Sequence, residues 1–115
     1  APFHSDLMAP AADAMRHALD TVQKNDPVVP VIANVRATPV TDANEIATLL
    51  VAQVTGQVRW RETVEWFGAN GVTTLYEIGS GKVLTGLARR IDKNISGIAL
   101  NTPADIDAAL AAILG

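Results

Sequence analysis

The chain has 115 residues, of which 49% are hydrophobic and 18% are charged. This balance is typical of a folded globular protein and excludes an intrinsically disordered one. The net charge of −3 argues against a general nucleic-acid binder, and the lack of cysteine excludes disulfides and thiolate chemistry. No apolar run reaches the ~18 residues that span a membrane, and the first residues lack the pattern of a secretory signal. We therefore expect a cytoplasmic protein.

The first predicted helix follows the opening four residues. From Ser5 to Val22, apolar residues recur at steps of three and four, which indicates one buried helical face. Ser5 is the predicted N-cap, but Pro10 favours a true helix start near Ala9, after an initial turn. The segment Asn25-Asp26-Pro27 is predicted to end this helix.

The apolar run Val28–Ala33 predicts a strand that is buried on both faces, as in parallel sheets. Because proline cannot donate to a ladder, Pro30 moves the predicted start of pairing to Val31.

Two helices are predicted next. Asp42 and Glu45 have the spacing of a capping box at the start of the first one. A second helix is predicted from about Arg59 to Ala69, closed by Asn70-Gly71. The residues that the first of these helices is expected to direct inward are Ile46, Leu49, Leu50 and Val54.

Short strands and helices alternate in the rest of the chain. Strands are predicted at 73–78 and 98–100, with helices at 82–91 and 104–114. Thr102 is the predicted N-cap of the last helix and Pro103 its first residue. The alternation predicts an α/β fold with short, largely parallel strands. Since three parallel strands would leave an exposed edge, we expect further strands upstream.

The segment Gly79-Ser80-Gly81-Lys82 has the composition of a phosphate-binding loop, but its spacing excludes one. Tyr76 occupies the position of the first glycine of that loop, and Val83 occupies the position of its Ser or Thr. A dinucleotide fingerprint would need glycine at Leu84. The segment is therefore predicted to be a tight turn between a strand and a helix.

The two histidines differ in their setting. They are too far apart in sequence to suggest a metal site, and His17 falls on the polar side of the first helix. His4 precedes that helix, whose positive end disfavours imidazolium. A histidine that stays neutral near neutral pH is ready to accept a proton, so His4 is a candidate general base.

Five segments, taken in order, resemble malonyl-CoA:acyl-carrier-protein transacylases. They are APFHSDLMAPAADAM, PVVPVIANV, LLVAQVTGQVRW, TVEWFGANGV and LYEIGSGKVLTGLARRI. Together they cover nearly the whole chain. One departure is the turn Gly79-Ser80-Gly81, where the family often has Gly-Pro-Gly.

The resemblance implies a fold and an activity. Residues 1–115 would be the C-terminal portion of an α/β-hydrolase-like large domain, without its nucleophile-bearing part and its small ferredoxin-like subdomain. The enzyme would transfer malonyl from malonyl-CoA to the phosphopantetheine thiol of acyl carrier protein in fatty-acid biosynthesis, with no bound cofactor. The serine of its Gly-x-Ser-x-Gly elbow and its carboxylate-binding arginine are expected in the missing N-terminal part of the same enzyme. This chain alone is therefore predicted to be inactive.

The resemblance also assigns site residues. The catalytic histidine falls at His4, and the main-chain carbonyl that orients it falls at Gln53. Gln53 also lies on the predicted inward side of its helix, where its amide needs a partner; a buried glutamine that bonds a nearby loop is the alternative. Phe3 goes with malonyl selectivity, because a bulky ring would crowd the branched α-carbon of methylmalonyl.

A basic stripe follows the glycine turn. Acyl carrier proteins are acidic, so the stripe is a candidate docking surface that acts by electrostatic steering. The alternative is an ordinary solvated face. Its members are Lys82, Arg89, Arg90 and Lys93.

Two other functions remain open. The chain matches the acyltransferase domain of a polyketide synthase almost as well, although its end soon after the last helix favours a free-standing enzyme. A non-catalytic α/β binding module is the alternative from another class, and it would fold cooperatively by itself.

Overall fold

The structure, a computed structural model, describes residues 6–115. The chain divides into two compact units, the first ending at Thr63 and the second running from Val64 to Gly115. The elements are a 3₁₀ turn at Asp6–Met8, α1 (Ala9–Asp20), β1 (Val31–Ile32), β2 (Pro39–Val40), α2 (Ala43–Thr55), α3 (Trp60–Ala69), β3 (Thr74–Ile78), α4 (Val83–Ile91), β4 (Ser96–Leu100) and α5 (Pro103–Leu114). Helices alternate with short strands, and one strand pair is parallel, which confirms the predicted α/β class.

Helix α1 begins at Ala9 after a 3₁₀ turn, as predicted, with Pro10 in its first turn. The predicted cap, Ser5, lies outside the described residues. The helix ends at Asp20, earlier than predicted, because Thr21 and Lys24 bind its last carbonyl groups. The Thr21 hydroxyl donates to the Ala18 carbonyl at 2.9 Å, and the Lys24 ammonium donates to the Leu19 carbonyl at 2.6 Å.

The strand predicted for Val28–Ala33 begins at Val31, as Pro30 indicated, but the prediction that it is buried on both faces was wrong. Strand β1 has two residues and pairs antiparallel with β2, which the sequence analysis missed. Val28 and Val29 are exposed, and among residues 6–115 β1 pairs with neither β3 nor β4. The chain turns directly after β1, since the Ala37 amide donates to the Ala33 carbonyl at 2.8 Å. That turn leaves no length for a longer ladder.

Helix α2 begins at the predicted cap. The Asp42 carboxylate accepts a hydrogen bond from the Glu45 amide at 2.8 Å, while the Glu45 carboxylate pairs with Arg36. Ile46, Leu49 and Val54 are partly buried, as expected. Leu50 was wrongly predicted to point inward and is 48% exposed.

Helix α3 follows the predicted bounds within one residue. It ends where Gly71 takes the left-handed conformation with φ of 80°. This conformation allows the Val72 amide to donate to the Phe67 carbonyl at 3.0 Å, so the last turn stays satisfied.

In the second unit β3 and β4 form a parallel pair, with Thr74 opposite Ser96 and Ile78 opposite Leu100. Helices α4 and α5 both pack against β4. The predicted start of α5 is confirmed, since Thr102 and Asp105 form a reciprocal capping box behind Pro103. The most buried apolar residues of this unit on these elements and the adjoining loop are Ala88, Ile95, Leu100 and Ala109.

Gly97 lets β4 approach α4 closely. A β-carbon at this position would meet the side chain of Thr85 and would lie 3.2 Å from its α-carbon. Because that neighbour includes backbone, a larger residue at 97 must push α4 away from the strand. None of the helices within residues 6–115 is long and apolar enough to cross a membrane.

Gly97→Ala is expected to lower the free energy of unfolding by about 1–2 kcal/mol, since overpacking outweighs the entropy that alanine saves in the unfolded chain. Urea unfolding measures this change. The matched control is Gly86→Ala in α4, where an added β-carbon meets nothing within 4 Å and stability should not fall. Equal stabilities of the two variants would contradict the close approach at Gly97.

Candidate functional site

The predicted site residues fall into three places. His4 and Phe3 lie outside the described residues, so their roles stay predictions. Gln53 lies on α2, and the basic stripe lies on and beside α4. Gln53 belongs to the first unit and the basic stripe to the second.

Gln53 lies in the last turn of α2 and is partly buried. Its side-chain amide donates to the carbonyl of Gly56, just past the helix, at 3.4 Å. The side chain therefore bonds a nearby loop, as in the alternative prediction of a buried glutamine that pairs with a loop. The proposed orienting group is a different one, the main-chain carbonyl, and carbonyl groups in a last helical turn take donors from outside the helix.

The cationic side chains of the stripe line a common groove in the second unit. This basic groove has a volume of about 440 Å³ and runs between α4 and β4. A shallower recess beside it brings in Arg90. The residues that line the groove are Lys82, Thr85, Gly86, Arg89, Lys93, Ile95, Ser96 and Gly97.

The groove is electropositive and open to solvent. Lys82, Arg89, Arg90 and Lys93 are all exposed. The described ion pairs Arg16–Asp13, Arg36–Glu45 and Arg59–Glu62 do not include a cation of the groove. Like charges at this spacing repel one another, so an acidic partner would be attracted to the groove.

The last turn of α4 also gives Arg89 and Arg90 a structural role. Cations there interact favourably with the negative end of the helix dipole. This contribution is small at an exposed site, and it does not require Lys82, which lies at the opposite end of the helix. The grouping of cations from both ends of α4 therefore exceeds what helix stability needs.

Glu77 on β3 holds the start of α4 in place. Its carboxylate accepts hydrogen bonds from the Thr85 hydroxyl at 2.7 Å and from the Thr85 amide at 2.8 Å, with the Leu84 amide at 3.4 Å. The Thr85 hydroxyl bond is the main cause that lowers the pKa of Glu77, with help from the two amides. The orientation of the basic groove thus depends on a carboxylate of the neighbouring strand.

The same bonds explain why the glycine turn is not a phosphate loop. A phosphate at a helix start is held by the first amides of the helix. In α4 the amides of Leu84 and Thr85 already donate to Glu77. Gly79 and Gly81 have φ of 133° and 88° and form the tight turn that the sequence predicted.

Two other features lie outside the basic groove and the environment of Gln53. His17 is exposed on α1, as expected, and no cluster of metal-binding side chains occurs in the part of the chain that the structure describes. A groove of about 490 Å³ that the sequence did not predict lies between α1 and α2, lined by Arg16, Asp20 and Lys24 among others. It contains both positive and negative side chains, and no motif in the sequence indicates it.

Comparison with known proteins confirms the resemblance. Over 109 residues, or 95% of its length, the chain is 46% identical to a malonyl CoA-acyl carrier protein transacylase of Salmonella typhimurium. A crystal structure of an acyl-carrier-protein S-malonyltransferase from Bartonella henselae is 61% identical over the whole chain, with a TM-score of 0.90. A malonyl-transacylase solved in complex with a type II polyketide-synthase acyl-carrier protein is 41% identical over 97% of the chain, with a TM-score of 0.84.

These matches cover only part of each relative. The chain spans 35% of the Salmonella protein, 37% of the Bartonella chain and 36% of the third chain. It is therefore homologous to about a third of a transacylase. No protein-family profile matches the chain.

The hydrogen bonds to Glu77 predict a pH dependence of stability. Since its folded pKa lies below the ordinary value of 4.5, the stabilisation is present above that value and is lost as pH falls through the folded pKa. The gap in unfolding free energy between the native protein and Glu77→Gln should therefore shrink on acidification. Urea unfolding from about pH 7 to about pH 3 measures the gap.

The matched control is Asp107→Asn, an exposed carboxylate on α5. Among the described hydrogen bonds none ends on Asp107, so this gap should stay small at every pH. A Glu77→Gln gap that does not change with pH would show that the carboxylate does not hold α4 through its charge.

Proposed function

We propose that this chain, homologous to about a third of the malonyl CoA-acyl carrier protein transacylases, is the histidine-bearing C-terminal portion of such an enzyme. The supporting observation is homology along nearly the whole chain, together with the matching fold. The complete enzyme would transfer malonyl from malonyl-CoA to the phosphopantetheine thiol of acyl carrier protein. Residues 1–115 would form the end of its large domain, and the remainder would supply the nucleophile and the small subdomain.

The proposed mechanism is a two-step transfer through an acyl-enzyme. The hydroxyl of an elbow serine in the remainder attacks the thioester carbonyl while His4 takes its proton. Collapse of the tetrahedral intermediate breaks the bond to sulfur, and the CoA thiolate leaves with the proton from His4. In the second step His4 removes the proton of the carrier thiol, which attacks the malonyl-serine ester. The serine oxygen then regains its proton from His4.

Gln53 would orient the catalytic imidazole. One ring nitrogen of His4 must carry a proton for the other to act as a base. The main-chain carbonyl of Gln53, in the last turn of α2, would accept a hydrogen bond from that N–H and so select the tautomer. The role belongs to the backbone, and it is compatible with a side chain that bonds Gly56.

Phe3 would favour malonyl over methylmalonyl, because its ring would crowd a methyl group on the α-carbon. The pathway is fatty-acid synthesis in our leading proposal. Polyketide synthesis is the second candidate, supported by the structural relative that was solved with a polyketide carrier protein. A cytoplasmic location stays a prediction for either pathway.

The basic groove would dock the carrier protein. Its cations attract an acidic partner over long range and raise the rate of encounter. Such steering would act on the carrier and not on the chemistry of malonyl transfer to serine.

His4→Ala in the complete transacylase is expected to lower the rate of malonyl transfer to carrier protein by about a hundredfold or more, since a positioned general base supplies that much. The measurement is transfer of labelled malonyl from CoA to carrier, with circular dichroism to check folding. The control is His17→Ala on the exposed face of α1, which should keep the native rate. A folded His4→Ala enzyme at half the native rate or better would refute the assignment.

Reversing charge at Arg89 and Arg90 (R89E with R90E) is expected to raise the KM for carrier protein about tenfold, with the KM for malonyl-CoA unchanged. Added salt should reduce the difference, because exposed charges are screened. The control reverses Arg16 and Arg61, two exposed residues of the first unit, which changes the net charge equally. An equal rise in both double variants would mean that net charge, and not the groove, attracts the carrier.

A further inference from the structure

Gly86 lies in the middle of α4, where neither the backbone conformation nor a contact with another described residue requires glycine. Glycine is the least favourable residue in a helix interior after proline. An added β-carbon at Gly86 would meet nothing within 4 Å, and the backbone there does not have a positive φ. Alanine would fit and would favour the helix.

Other glycines of the second unit contrast with Gly86. A β-carbon at Gly97 would collide with Thr85, and one at Gly68 would collide with the carboxylate of Asp92. At Gly97 the close neighbour includes the backbone of Thr85, so that position needs glycine, whereas at Gly68 it is the end of a side chain that a β-carbon would displace. At Gly86 the missing side chain instead leaves a notch open to solvent.

The notch lies at the centre of the basic groove. On a helix, residues three or four positions apart share a face. Lys82 precedes Gly86 by four positions, and Arg89 and Arg90 follow it by three and four. The cations therefore flank an exposed stretch of backbone, with on the order of 10 Å of helix axis between Lys82 and Arg89.

This arrangement suits a second helix more closely than a flexible chain. The distance between packed helix axes depends on the side chains at the crossing point, and it is shortest where they are small. A helix crossing α4 at Gly86 could bring carboxylates on neighbouring turns within reach of the cations on both sides. The cations span about two to three helical turns, which matches one face of such a helix.

We propose that Gly86 is a docking notch, at which an acidic helix of the carrier protein crosses α4 in contact with its backbone. This inference rests on the proposed function, since it names how the carrier would occupy the basic groove. The charge of the groove calls for an acidic partner surface. The missing β-carbon of Gly86 gives room for a helix to pack closely there.

The test places larger residues in the notch of the complete transacylase. Gly86→Ala should keep or raise the thermal midpoint, because alanine favours the helix, yet it should raise the KM for carrier about threefold or more. Gly86→Gln should raise that KM further. The KM for malonyl-CoA and the rate of malonyl transfer to the enzyme should not change. Ala111→Gln, at an exposed position of α5 in the same unit, is the matched control.

Each contrary outcome overturns the proposal that a carrier helix docks at Gly86. An unchanged carrier KM in Gly86→Gln would show that nothing crosses there. A lower thermal midpoint in Gly86→Ala would show that the rest of the transacylase fills the notch, and a rise in the KM for malonyl-CoA would assign the groove to CoA phosphates. The R89E/R90E enzyme separates carrier docking in the basic groove from a helix crossing at Gly86. If its carrier KM rises while the Gly86 variants are unaffected, the groove docks the carrier without a helix crossing at Gly86; if neither changes, carrier docking in this groove has failed.

Discussion

The contact between α4 and the strand pair β3–β4 determines what the second unit presents to solvent. Thr85 lies at the centre of that contact. Its hydroxyl and amide donate to the Glu77 carboxylate on β3, and its side chain occupies the space that Gly97 leaves on β4. Thr85 is thus held from two strands at once. Because these contacts fix how α4 is turned toward the strands, the cations of the basic groove keep a common direction.

This constraint links the fold to the proposed function. The bonds from Glu77 satisfy amides at the start of α4, so that end does not offer an anion site of its own. The positive surface lies instead along the side of the helix, in the groove that Lys82, Arg89 and Lys93 line with β4. An elongated acidic surface fits the basic groove better than a single phosphate does. Under the proposed function, acyl carrier protein would be a partner of that kind.

The first unit would contribute chemistry and not docking. The proposed base, His4, precedes α1, and the proposed orienting carbonyl of Gln53 lies at the end of α2. Helices α1 and α2 pack against each other, which gives the carbonyl a rigid support. The family's nucleophile would come from the remainder of the enzyme, so the active site would assemble from segments that are distant in sequence. Such assembly is usual for acyl-transfer enzymes, whose catalytic groups are recognised by geometry and not by sequence order.

Local sequence signals predicted the elements well where the cause was local. Helix periodicity, the caps at Asp42 and Thr102, and the glycines at 71, 79 and 81 are properties of a few neighbouring residues, and the structure has them where they were expected. The sequence also sufficed for the resemblance, because five motifs in order are specific even when each is weak. Tertiary structure alone decided the rest. Val28 and Val29 proved exposed because they lie before the two-residue strand β1 and outside its pairing with β2, and Leu50 because its side of α2 is left uncovered. The bond from Thr85 to Glu77 and the groove beside Gly86 join residues of different elements, and no local pattern determines which elements will meet.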